Sequence, residues 1–261
     1  MANSRMPVIF YGHGSPTIAR ETNSTTKTWR EIAKSVPKPK AILSISAHWL
    51  TRGVGVTAME RPQTIHDFGQ GLGADLFRIQ YPAPGDPQLA KRIKDLLEPE
   101  VPVTLDQRWG LDHGTWSVLM KAFPDADIPV VQLSMDATKE PEWHLELGRK
   151  LQPLRDEGIL IVGTGNIVHN LGVMEWNEKA KPYDWATRFN DYIKDCVKKK
   201  DTDGLANYLN AGQDAVRSVP GNDHYLPLLY AVGAAGDDYE VKFNPDFIIY
   251  KSLSMTSITF R

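Results

Sequence analysis

The residues with the most chemistry in this chain are its histidines, and their surroundings sort them. His13 lies in "GHGSP", directly after an apolar run, between two glycines whose lack of side chains would let the imidazole reach a metal ion or a small bound molecule. His48 closes a second apolar run in "SISAHW", and His169 follows another in "GTGNIVHN". His224 sits in "PGNDHYLP", where Gly221 and Asn222 turn the chain ahead of a helix that tolerates Pro227 in its first turn. His113, in "LDHGTW", also precedes a helix. Neutral imidazole is the commonest transition-metal ligand, and three from separate loops leave coordination positions open to a substrate. Taken singly, each could equally be a hydrogen-bonded loop histidine, because no HExxH pair fixes two ligands on one element.

The other two histidines read differently. His144, in "EPEWHLELG", falls on an amphipathic helical pattern beside Trp143 and reads as structural. His66, in "TIHDFG", could contact substrate or merely bond the neighbouring Asp67. Asp112 and Asp223 each precede a candidate histidine, so either could orient an imidazole, contact substrate or cap a helix. "GTGN" lacks the rest of a phosphate loop, and without GxSxG Ser15 is not a nucleophile.

The elements that must position these residues follow from periodicity. Short Ile- and Val-rich runs at 7–12, 41–49, 128–135, 158–165 and 247–260 predict buried strands. Between them, "DPQLAKRIKDLLEPE", "EPEWHLELGRKLQPLRDEG" and "DWATRFNDYIKDCVKKK" repeat apolar residues at three- and four-residue spacing, the last with Asp184 as its cap. Strands alternating with helices predict an α/β fold with a largely parallel central sheet flanked by helices, and a single domain over 1–261. The final strand, with no helix after it, is expected to be antiparallel. Loop signals are densest over 60–86, and long loops in compact domains are often functional. In such folds the site lies in the loops just past the strands or at helix starts, where four of the histidines fall, His13, His48, His169 and His224.

Composition narrows the class. With 41% hydrophobic and 24% charged residues and a net charge of -2, the chain reads as soluble and globular, without the basic surface that nucleic-acid binding needs. Cys196, alone, can form no intramolecular disulfide, and there is no cysteine cluster for structural zinc or iron–sulfur. No run reaches transmembrane length and "MANSRMPVIF" has no leader-like apolar segment, so the expected setting is the reducing cytoplasm, away from membranes.

In order along the chain, "GHGSP", "SAHW", "TIHDFGQ", "YPAPG", "DHGTW", "DADIPVVQLS", "GTGNIVHNL", "HYLPLLYAVGA" and "SLSMTS" resemble the DOPA-type extradiol catechol dioxygenases. These are class III ring-cleaving enzymes, in the family of the protocatechuate 4,5-dioxygenase catalytic subunit, and the chain is most similar to the bacterial members of the 4,5-DOPA type. The likeness runs from about residue 7 to residue 258. It implies a non-haem Fe(II) site that opens a catechol such as L-DOPA with O2 to a muconic semialdehyde, in aromatic compound metabolism.

By motif, the resemblance makes His13, His48 and His224 the metal ligands, His169 the catalytic base and His113 the residue that positions substrate. It also implies that isolated protein carries zinc, and that His169 can swing in as a fourth ligand of that zinc form. Where the protocatechuate branch has glutamate as third ligand, this sequence has His224, which leaves the full charge of the ion on the site. An amino-acid substituent on the catechol would need a cation, sought among the arginines of the 60–86 loop or near Arg108. The expected partners are a small catechol and O2, with the chain a monomer or small homo-oligomer. Two alternatives keep the same histidines: a zinc-dependent hydrolase and a catalytically inactive zinc-binding homologue.

Overall fold

The structure is a computed structural model and describes residues 5–261; the first four residues of the N-terminal stretch read above lie outside it. Alternation within each apolar run decides how its strand is buried. In β1 (Val8–Gly12), Val8 and Phe10 face one core while Ile9 and Tyr11 face the other, so every residue is buried. The same two-sided burial holds for β5 (Val130–Asp136), for β6 (Ile159–Gly165) and for most of β2 (Ala41–Thr51). Two short strands, β3 (Val54–Thr57) and β4 (Val103–Asp106), extend one edge. The other edge is formed by β10 (Ile258–Phe260) and β7 (Val241–Phe243).

The sheet order is β4-β3-β5-β2-β6-β1-β10-β7. The central pairs β5–β2, β2–β6 and β6–β1 are parallel, as is β3–β4, whereas β3–β5, β1–β10 and β10–β7 are antiparallel. The expected α/β fold with a largely parallel sheet is therefore present. One face is covered by α1 (Ser24–Lys34) and α3 (His113–Ala122) around Trp29 and Trp116. The other carries α2 (Pro87–Leu97), α4 (Pro141–Lys150), α5 (Pro153–Asp156), α6 (Asp184–Lys199), α7 (Thr202–Ala206), α8 (Gln213–Ser218) and α9 (Leu226–Ala235).

Three local expectations are corrected. The 247–260 run is not one strand: Tyr250 and Lys251 have φ of 50° and 67°, folding a hairpin of β8 (Ile248–Ile249) and β9 (Leu253–Ser254) before β10 rejoins the sheet. The helical pattern over 140–158 breaks between α4 and α5, at a proline that has no N–H to give. Asp184 is the first residue of α6 and Tyr183 its cap, without a side-chain bond. β3 and β4 escaped sequence reading because four-residue strands are too short to show a period.

Candidate active site

All five loop histidines converge at the C-terminal ends of the central strands. His13 follows β1, where its N–H donates to the carbonyl of Gly165 at the end of β6 (3.1 Å). The glycines around it have roles other than making room for the imidazole. A Cβ on Gly12 would stand 2.7 Å from the Met255 carbonyl carbon, so this residue admits the 255–256 backbone, and Gly14 turns the chain at φ +69°.

His48 lies where β2 loses register with β5: Ile45 pairs Leu133 but Leu50 pairs Met135, so extra β2 residues bulge out of the ladder and re-aim the histidine. His224 lies just ahead of α9, and its carbonyl accepts from Asn166 N–H (2.8 Å). His169 N–H donates to Ser218 O (2.9 Å). His113 opens α3, its N–H donating to Asp67 Oδ1 (2.9 Å).

The side chains make a compact arrangement. His13 Nε2 and His48 Nε2 are 3.1 Å apart. His13, His48 and His113 have ligand-capable nitrogens all within 4.8 Å of one another, which makes His113 a rival to His224 as third ligand. Ring positions separate the two. An imidazole bound at about 2.1 Å has its ring centre about 3.2 Å from the ion, so ligands about 90–110° apart have centres about 4.5–5.2 Å apart. His13, His48 and His224 form a triangle of 5.1, 5.3 and 4.9 Å, close to that requirement. His113 is only 3.8 Å from His48, too close for two ligands of one ion. His169 lies flat on His224 at 3.5 Å and 4°, which equally sets it beside the triangle rather than at a corner.

The electrostatics suit a cation. Burial, reinforced by neighbouring imidazoles, holds His13 and His48 well below the ordinary histidine pKa, so both rings are neutral and present lone pairs. Burial and the neighbouring His224 lower His169 to about 3, so its ring is neutral. Two carboxylates stand behind the rings. His224 Nδ1–H donates to Asp223 Oδ2 (2.5 Å), which frees Nε2 to face the triangle. Asp67 Oδ2 lies 3.0 Å from His113 Nδ1 and 3.5 Å from His48 Nδ1. Burial alone would raise both carboxyls, but their histidine partners hold them below the usual range. Neutral nitrogens at ligand spacing, with an anion behind, fit a divalent metal ion.

A cavity of 280 Å³ opens over these rings, lined by His48, His113, His169 and His224 and walled by Phe68, Leu72, Leu171, Met174, Trp176 and Leu253. Two expected substrate contacts fall outside it. His66 bonds the carbonyl of Ile79 (2.9 Å) and packs among Phe68, Phe77 and Trp116. Asp112 is wholly buried, receiving Ser46 Oγ–H (2.6 Å), Gln132 Nε2–H and Thr115 N–H, and its pKa is pushed up to about 6 by burial and by Asp67. It caps α3 and, through Ser46, steadies His48 N–H. None of Arg61, Arg78 and Arg108 lines the cavity.

Asp67 was missed as a site residue, since the sequence suggested it only as a partner for His66. Leu171, Met174 and Trp176 were missed because apolar residues in an aperiodic loop give no helical or strand signal; their only mark was that they are apolar in a loop.

Imidazoles gathered beyond the strand ends of a largely parallel sheet, beneath an apolar cavity, make an enzyme-like site whose donors fit a metal ion and whose cavity fits a small molecule. Residues 6–261 match the family described as the catalytic LigB subunit of aromatic ring-opening dioxygenase. The chain belongs to this family of extradiol ring-opening dioxygenases. It is 49% identical to the Escherichia coli K12 protein named 4,5-DOPA dioxygenase extradiol, over 99% of this chain and 96% of that one. The Beta vulgaris protein of the same name is 38% identical over 88% of this chain and 87% of its own. A crystal structure of an uncharacterized E. coli K12 protein shares the fold with a TM-score of 0.85, at 45% identity over 98% of this chain and 100% of that one.

Proposed function

We propose that this chain opens the ring of a catechol such as L-DOPA with O2, at a ferrous ion held by His13, His48 and His224. The observation that carries this reading is the near-equal triangle of those three rings, with the His13 and His48 Nε2 atoms 3.1 Å apart. A ferrous ion there supplies a Lewis acid for the two phenolic oxygens and a route for electrons from ring to dioxygen.

The chain's own residues do the rest. His169 Nε2 or Nδ1, neutral and stacked on His224, takes a phenolic proton as the catechol binds and returns it as the ring opens. His113, held from behind by Asp67, positions the substrate through its remaining nitrogen. Asp223 fixes the tautomer of His224. The apolar wall excludes water around the reacting oxygens. With zinc in place of iron, His169 would serve as a fourth ligand in a resting form, leaving its stack on His224.

The test is oxygen uptake by anaerobically Fe(II)-reconstituted protein with L-DOPA and a panel of catechols, beside zinc-loaded and His169→Ala samples. The expected result is catechol-dependent uptake and a yellow ring-opened product with iron alone, lost in the variant. No uptake with any catechol would move the assignment to the zinc-dependent alternatives.

A further inference from the structure

We infer that the hollow beside the catalytic cavity is a subsite for an α-amino-acid group on the catechol, in which Glu21 and Glu178 take the ammonium and Lys179 takes the carboxylate. The inference rests on the ring-opening reading above and assigns residues to the substrate's side chain.

The same two segments build both compartments. The cavity over the histidines and a neighbouring hollow of 220 Å³ share Ser15 and Tyr250. Met174 and Trp176 wall the cavity, and a few residues on, Glu178 and Lys179 line the hollow. The β8–β9 hairpin divides in the same way, with Leu253 at the cavity and Ile249 at the hollow. A substituent that leaves the bound ring on the Tyr250 side therefore enters the hollow. Tyr250 has φ of 50°, a conformation that a bulky side chain seldom adopts and that tends to mark functional positions.

The two compartments differ in charge. Apart from its histidines, the cavity has no ionisable side chain but the Tyr250 phenol, whereas the hollow carries Glu21, Glu178 and Lys179. Among the described residues, none of these three has a counter-ion. Glu21 Oε2 accepts from Asn23 Nδ2–H (2.6 Å) and Glu178 Oε1 from the Tyr250 hydroxyl (3.2 Å), both neutral donors. Lys121 bonds the Glu21 backbone carbonyl (2.7 Å), not its carboxylate. Burial and the charges of Glu178 and Glu21 push the Tyr250 phenol up to about 12, so both carboxylates act at its hydroxyl.

Both signs of charge are thus available to a ligand. An α-amino acid brings one ammonium and one carboxylate and meets both. A plain carboxylate would meet one lysine but two glutamates, and an alkyl group would pair with none of them. Lys179 takes the role for which the sequence pointed to arginines in the 60–86 loop or near Arg108, since Arg61, Arg78 and Arg108 line neither compartment.

Two readouts test this, with 4-ethylcatechol, 3,4-dihydroxyphenylpropionate, dopamine and L-DOPA. The first is kcat/KM by oxygen uptake in the Fe(II) protein. The second is Kd for zinc-loaded protein by titration calorimetry, which needs no turnover. The expected order is L-DOPA, dopamine, ethylcatechol and then the propionate, with L-DOPA at least about tenfold above ethylcatechol. In Glu21→Gln/Glu178→Gln the L-DOPA-to-ethylcatechol and dopamine-to-ethylcatechol ratios should each fall about tenfold. In Lys179→Glu the L-DOPA-to-dopamine ratio should fall about tenfold, and Lys179→Arg should retain it. Each is a ratio within one protein, so it cancels any general loss of activity or metal.

L-DOPA no better than 4-ethylcatechol would overturn the inference while ring opening stood. So would unmoved ratios in the double glutamine variant or in Lys179→Glu. No oxygen uptake with any catechol would sink the ring-opening reading, and the calorimetric ratios would still decide what the hollow binds.

Discussion

Histidine is buried in two quite different places. His144 lies on α4 against α9, its Nδ1 3.1 Å from the Tyr230 hydroxyl and its other nitrogen without a partner. At the strand ends, His13, His48, His113, His169 and His224 are likewise withdrawn from solvent. Burial lowers His144 to about 4, just as it lowers His13, His48 and His169. A depressed pKa therefore does not distinguish a structural histidine from a chemical one. Company does: His144 has a phenol and a helix face around it, whereas the cluster has other imidazoles at ligand spacing, carboxylates behind three of them and a cavity in front.

The largest contrast is expected from the triangle itself. His224→Ala or His13→Ala should abolish stoichiometric metal binding and lower ring-opening activity by about a thousandfold or more, read by metal analysis and oxygen uptake. Normal metal content in either variant would break the proposed ligand set and restore His113 as the rival. Next comes His169→Gln, which should keep the metal but lower kcat by about 10²- to 10⁴-fold, the range of a lost general base. Loss of metal in this variant would show His169 to be a ligand of the working form.

Asp67→Asn should have a smaller effect, about 10- to 100-fold in metal affinity or kcat, because it acts through His113 and His48. Substitution at His144 should leave both metal and kcat alone and change stability only. The sign follows from its depressed pKa: below about pH 6.5 the unfolded chain takes up a proton that the folded chain refuses until about pH 4. Its share of stability is thus complete above pH 6.5 and falls by about 3 kcal/mol as pH drops towards 4. His144→Phe should flatten that part of the denaturation profile between pH 7 and pH 5. An unaltered slope would mean that His144 titrates normally in the fold.

Legibility in the sequence followed the range of the forces involved. The Val- and Ile-rich runs were readable as strands because two-sided burial demands continuous apolar residues, and the helices were readable from their period. The 247–260 run misled because a hairpin held by residues in the left-handed region has the same composition as a strand. The five loop histidines were legible as candidates from their positions after apolar runs or just ahead of helices. Asp67 was not, since nothing in "TIHDFG" says that its carboxylate turns to His113, 46 residues away. Asp112 was readable as a helix cap, but its burial among Ser46 and Gln132 was not.

By itself the sequence determined the fold class, the set of imidazoles and, through its ordered motifs, the family. Those depend on local periodicity and residue type, which a linear chain carries in full. Tertiary structure alone decided how far apart the imidazole rings stand, which two of them stack, and that the wall facing them is apolar. Such distinctions turn on separations of an ångström or two between residues far apart in the chain, set by how β1, β2 and β6 align and where β2 bulges.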